Sequence, residues 1–228
     1  MLTHSEKKFT VLYSLIVLLE FVSGASTDFS TMHYVCKPAI VLALLIFFWS
    51  HSTMLNKSSR FLMASALLFS LLGDILLMFV NLGSHYFLFG LIAFLIAHIM
   101  YSIAFARGRN KSMNPVGFIA ILMLYGGGLF YLLNSRLHNM LLPVMLYMLI
   151  ILTMTIFAYL RQGRTVKLSY QFVLLGAFLF LVSDSILALN KFYKPLAYSN
   201  ITIMLTYALA QYFIVIGMLK SRDRSKAI

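Results

Sequence analysis

The chain has 228 residues, of which 61% are hydrophobic and 11% charged, with a formal net charge of +12. A soluble domain carries about 25% charged residues, so this composition argues against a water-soluble globular protein and makes lipid the main solvent. The positive charge does not point to nucleic acid as a partner, because Lys and Arg fall in short clusters between apolar runs and not along one face or tail.

A hydrocarbon core about 30 Å thick needs roughly 20 apolar residues per helix. In chain order, the apolar runs predict helices over 8–25, 34–50, 61–80, 85–106, 115–133, 139–160, 171–190 and 197–219. Lipid leaves no partner for a free backbone amide, so these runs are read as helices and not strands. The expected fold is an all-α polytopic membrane protein of about eight transmembrane helices, with 1–228 as a single transmembrane domain. The first run, flanked by Lys7-Lys8 and Ser23-Gly24-Ala25-Ser26, also resembles a cleavable signal peptide, but Glu20 interrupts that pattern and a retained span is expected.

Charge sets the orientation. With a cytoplasmic N-terminus, the inner side collects Lys7, Lys8, Lys57, Arg60, the 107–111 and 161–167 clusters and the tail bearing Lys220, Arg222, Arg224 and Lys226. The outer loops keep Arg136, Lys191 and Lys194, with Lys37 near the outer end of the second span. This asymmetry places both termini in the cytoplasm, as expected in a bacterial inner membrane. Cys36 is the only cysteine, which rules out an internal disulfide and a cysteine zinc site.

Carboxylates inside a bilayer are costly and usually face a protein interior or a wet cavity. Glu20, Asp74 and Asp184 are such residues. Asp74 and Asp184 each precede the predicted outer end of their helix by six positions, which places both about 9 Å inside that boundary. The stretch Leu68-Phe69-Ser70-Leu71-Leu72-Gly73-Asp74 also resembles Leu179-Phe180-Leu181-Val182-Ser183-Asp184, which suggests two parallel four-helix repeats, although two apolar helices can converge on so short a match.

Lys37, just before Pro38, either snorkels outward or turns inward to a carboxylate or a lipid phosphate. His98 and Tyr101 share one helix face, as do Tyr207 and Gln211, so each pair either lines a polar pocket or ties helices together. A metal site is not expected, since His98 is the one histidine deep in a span. Gly126-Gly127-Gly128 is read as a close helix approach or a kink, and Ser183 next to Asp184 has no neighbouring His that would make it a nucleophile.

Several short motifs, in order, resemble the YhhN-like lysoplasmalogenase family: Lys37-Pro38, Leu71-Leu72-Gly73-Asp74, Ala97-His98-Ile99-Met100-Tyr101 with Phe105, the stretch from Ser183-Asp184 to Asn190-Lys191-Phe192, and Tyr207-Ala208-Leu209-Ala210-Gln211. The resemblance implies hydrolysis of the vinyl ether bond of a lysoplasmalogen, a lysophospholipid met in membrane lipid, to a fatty aldehyde and glycerophosphoethanolamine or glycerophosphocholine. It implies Asp74 and Asp184 as catalytic residues, with no cofactor. Vinyl ethers are labile to acid, so the reaction needs a proton donor, a stabiliser for the resulting cation and a water. Two carboxyl groups in unequal environments supply that set. Lys37, His98, Tyr101, Asn190, Tyr207 and Gln211 are the candidate substrate-binding residues. The alternatives are a proton-coupled transporter, since buried acids also mark ion relays, and a lipid-binding membrane protein without activity.

Overall fold

The computed structural model describes residues 2–25 and 30–221. It consists of eight long helices: α1 (His4–Ala25), α2 (Ser30–His51), α3 (Lys57–Met78), α4 (Ser84–Ala106), α5 (Val116–Leu133), α6 (Leu141–Tyr159), α7 (Lys167–Ala188) and α8 (Ser199–Leu219). Among the described residues, seven helical segments, covering α2 to α8, are long and apolar enough to cross a membrane. The chain is therefore a multi-pass integral membrane protein. The helix α1, which carries Glu6, Lys7, Lys8 and Glu20, is not one of the seven. Ser26 of the signal-like stretch and the basic residues Arg222, Arg224 and Lys226 lie outside the described residues.

Local chemistry sets several helix ends. In α1, the Thr3 amide donates to Glu6 Oε2 at 2.7 Å and the Glu6 amide donates to Thr3 Oγ1 at 3.2 Å, a reciprocal cap that satisfies two orphan donors. The helix α3 begins at Lys57, ahead of its apolar run, because Asn56 Oδ1 accepts the Ser58 amide at 2.9 Å. The helix α2 begins at Ser30, so Pro38 lies inside it and not at its end. The end of α7 widens into a π-helical turn over Leu189–Tyr193, a form common where a helix is adapted to a site.

The helices pack in two closely joined pairs, α3 with α4 and α7 with α8. Glycine makes the second pair possible: a Cβ on Gly176 of α7 would lie 2.8 Å from the Ala210 carbonyl oxygen and 2.9 Å from the Ile214 nitrogen of α8. Such backbone approach supports helix association where no hydrophobic drive separates lipid from side chain. Around these pairs, α2 packs on α3 and α8, while α6 packs on α7 and α4, so exchanging the two halves of the chain maps one set of contacts onto the other. The helix α1 lies on α2 and α8, where Tyr13 Oη donates to the Ala208 carbonyl at 2.8 Å and the Phe9 ring stacks on Phe47 at 3.9 Å. The peripheral helix α5 turns Leu124 and Tyr131 outward, as a lipid-facing helix does. It is helical throughout Gly126-Gly127-Gly128, and of these only Gly126 closely approaches a neighbour, Leu152 of α6.

Candidate active site

A cavity of about 680 Å³ opens among the C-terminal ends of α1, α3 and α7 and the N-terminal ends of α2 and α8. Asp74 and Asp184 both line it, four residues before the ends of α3 and α7. The two acids read from sequence at one depth therefore meet in one chamber. Glu20 of α1 and Lys37 of α2 line it too, as do Asn190 and Lys191 from the π-helical turn. The lining also includes Phe94, Leu187 and Met204, so polar and apolar surfaces face the same space.

The two aspartates are held differently. Tyr207 of α8 donates its hydroxyl to Asp74 Oδ2 at 2.8 Å. That hydroxyl accepts from Gln211 Nε2 at 3.3 Å, and Gln211 Oε1 accepts from Tyr101 of α4 at 2.6 Å. A polar chain thus runs from α4 through α8 to Asp74. Lys37 supplies positive charge to both Asp74 and Glu20. Asp184 accepts instead from the Tyr147 hydroxyl of α6, through Oδ2. His98 Nε2 lies 3.7 Å from the same oxygen, beyond hydrogen-bond reach, and its ring stands edge-on to Phe180 and Tyr147.

The residues proposed from sequence therefore separate by position. Lys37, Asp74, Asp184, Asn190 and Tyr207 line the chamber. Tyr101, Gln211 and His98 are fully buried behind its wall, where Gln211 touches Tyr207, Tyr101 touches Gln211 and His98 touches Tyr147. His98 and Tyr101, three positions apart, face different partners: α6 and α7 for His98, α8 for Tyr101. Asn190 has a second task, since its Oδ1 accepts the Leu196 amide at 2.9 Å and holds the loop that leads to α8.

Sequence reasoning missed Tyr147, because a tyrosine in an apolar run reads as an interface aromatic. A signal was present: the same offset of 110 positions separates Lys37 from Tyr147, Asp74 from Asp184, and Tyr101 from Gln211. It also missed His33, whose Nδ1 lies 2.8 Å from Glu20 Oε1 at the chamber wall. Among the described residues, no three His, Cys, Asp or Glu side chains converge as metal ligands do.

Comparison with known proteins adds to this geometry. No solved structure matches the chain. Among curated proteins, it is 30% identical to lysoplasmalogenase TMEM86A of Bos taurus over 82% of this chain and 78% of that one. It is 31% identical to lysoplasmalogenase TMEM86B of Homo sapiens over 82% of this chain and 74% of that one. The model of the YhhN family matches residues 32–218, a range that holds both aspartates, Lys37, Tyr147 and Tyr207. The chain belongs to the YhhN family.

Proposed function

We propose that this protein hydrolyses the vinyl ether bond of lysoplasmalogens, releasing a fatty aldehyde and a glycerophospho-alcohol such as glycerophosphoethanolamine or glycerophosphocholine. The observation that carries the reading is the opening of two aspartates, from separate helices and with separate hydroxyl donors, into one chamber of mixed polarity. The relatives named as lysoplasmalogenases support the same lipid class.

A vinyl ether resists hydroxide because it has no electrophilic carbon. Protonation of its terminal alkene carbon creates one, as an oxygen-stabilised cation. One carboxylic acid supplies that proton and the other carboxylate orients the water that captures the cation; such groups are typically worth about 10²–10⁴-fold each. Tyr207 and Tyr147 fix the two carboxyl groups, while Tyr101, Gln211 and His98 hold those supports in place. Lys37 and Asn190 meet the glycerophosphate end, with Lys37 as a point charge for the phosphate.

In the membrane, residues 8–25 of α1 form the eighth span and both termini face the cytoplasm, so the chamber opens toward the outer leaflet of a bacterial inner membrane. The packing of α1 on α2 and α8 and the basic clusters at the opposite end support this orientation.

The test is aldehyde release by the purified protein. Lysoplasmalogen in mixed micelles yields aldehyde in proportion to enzyme, and the saturated 1-O-alkyl analogue yields none. Absence of aldehyde under conditions where another lipid is cleaved, or where a solute is transported into proteoliposomes, overturns the reading.

A further inference from the structure

Behind Asp184 lies a second space, a narrow slot of about 40 Å³ between α4, α6 and α7. Its walls are apolar except for Tyr147 and Asp184: Leu91 of α4, Val144 of α6, Ala188 of α7 and Phe192 of the π-helical turn enclose its far part. Phe87, Phe94, Leu77 and Leu187 border both the slot and the chamber. Asp184 is the only ionisable residue common to the two spaces among the described residues, whereas Asp74 borders the chamber alone.

The proposed substrate has the same division. Its glycerophosphate is strongly polar and its alkenyl chain is a hydrocarbon, and the vinyl ether joins them. An apolar space accepts a hydrocarbon chain from lipid at no polar desolvation cost, and the phosphate is excluded from such a space. A lipid that places each part in its matching space brings its vinyl ether to the boundary, where Asp184 stands.

Building on the vinyl ether reading, we infer that Asp184 is the carboxyl group that protonates the alkenyl carbon, with the first carbons of the alkenyl chain in the slot and Asp74 serving the water on the chamber side. The hydrogen bonds agree with this division. Asp184 Oδ2 accepts from Tyr147 and is the oxygen nearest His98, which leaves Oδ1 to carry the transferable proton. Asp74 shares the chamber with Lys37, which does not border the slot, and a carboxylate that stays ionised inside the bilayer needs such a cation.

The steps balance without a cofactor. The Asp184 proton passes to the second alkenyl carbon as the double-bond pair forms the new C–H bond, and the ether oxygen's lone pair makes the oxocarbenium. Water oxygen bonds to the first alkenyl carbon, and the Asp74 carboxylate takes the released proton. In the hemiacetal, the hydroxyl proton passes to Asp184 and the bond from the first carbon to the glycerol oxygen breaks. The glycerol oxygen keeps that electron pair and takes the proton from Asp74. Both aspartates are then as they began.

Two measurements test the assignment. In D₂O, lysoplasmalogen recovered unhydrolysed from Asp74→Asn carries deuterium at the second alkenyl carbon, because reversible protonation continues while water capture is slowed; lipid recovered from Asp184→Asn carries none. Deuterium in the Asp184→Asn sample, or in neither, overturns the role of Asp184. The substitution Val144→Phe fills the slot and lowers the kcat/KM ratio of a four-carbon to a two-carbon alkenyl chain about tenfold or more, the scale on which apolar pockets discriminate. An unchanged ratio overturns the chain assignment. If the wild type releases no aldehyde, the vinyl ether reading fails by itself. Binding of saturated 1-O-alkyl lysolipids then decides the slot: chain-length preference lost in Val144→Phe upholds it, and preference retained overturns it.

Discussion

Replacing Tyr207 by Phe isolates the support beneath Asp74. The ring is buried and stands edge-on to Phe94 at 5.8 Å and Phe180 at 5.3 Å, contacts that phenylalanine keeps. Only the hydroxyl is lost, and with it the 2.8 Å bond to Asp74 Oδ2 and the acceptor for Gln211 Nε2. A hydrogen bond to a charged group is worth about 1.5–3 kcal/mol. At about 1.4 kcal/mol per factor of ten, kcat for aldehyde release falls about 10- to 150-fold. KM changes by less than about threefold, because the lost bond orients a reacting group and does not hold the lipid. Gln211→Leu reaches Asp74 only through Tyr207 and a longer 3.3 Å contact, so its cost is about fivefold or less, nearer a neutral hydrogen bond. The assay is initial-rate aldehyde formation by each single variant and by Tyr207→Phe combined with Asp74→Asn. In the double variant, Tyr207→Phe adds less than about twofold, since residues acting as one unit are not additive. Wild-type kcat in Tyr207→Phe, or full additivity with Asp74→Asn, refutes the coupling.

Other parts of the molecule give independent outcomes. Gly176→Leu places a side chain against the α8 backbone at Ala210 and Ile214, and thermal unfolding in detergent registers a loss of about 1–3 kcal/mol or more from overpacking. Gly127→Ala, in open space on α5, leaves stability equal or raises it by up to about 1 kcal/mol. At the opposite end of the bundle from the chamber, Glu6 is partly buried, which works to raise its pKa. Bonds from Lys220 Nζ at 2.8 and 3.1 Å and from the Thr3 amide outweigh burial and hold it below its usual value. Because the folded value is the lower one, this pair stabilises the protein above the unfolded pKa and loses that contribution as pH falls through the folded pKa. Glu6→Gln removes that acid-side step, whose size is on the order of 1 kcal/mol for such a pair. In a Cys36→Ser background, an impermeant maleimide labels Arg136→Cys from the outside of intact cells and labels Lys111→Cys only after permeabilisation; the reverse pattern contradicts the orientation.

Much of the fold was legible because lipid imposes a simple rule on sequence. The apolar runs over 115–133 and 197–219 correspond to α5 and α8 within two residues. Departures occur where polar residues are helical, as at Lys57–Arg60 behind the Asn56 cap and at Ser30–His33 ahead of the second apolar run. Asp74 and Asp184 stood out because carboxyl groups are rare in spans, and equal distance from two helix ends put them at one depth. Tyr147 and His33 did not stand out. Their importance lies in the one atom each turns toward an acid, and composition does not encode direction. His98, Tyr101 and Gln211 were legible as polar residues in apolar helices, but their place behind the chamber wall depends on which faces α4 and α8 turn toward α6, α7 and each other. The offset of 110 carries part of that information, since it pairs Tyr147 with Lys37, the chamber residue whose charge acts on Asp74.

The most direct measurement of the central claim is lysoplasmalogen turnover by folded Asp74→Asn and Asp184→Asn beside the wild type. Two aspartates acting together on one bond predict that each substitution alone lowers kcat by about 10²-fold or more, and that the double variant is little worse than the poorer single one. Wild-type turnover in either variant contradicts a shared catalytic chamber.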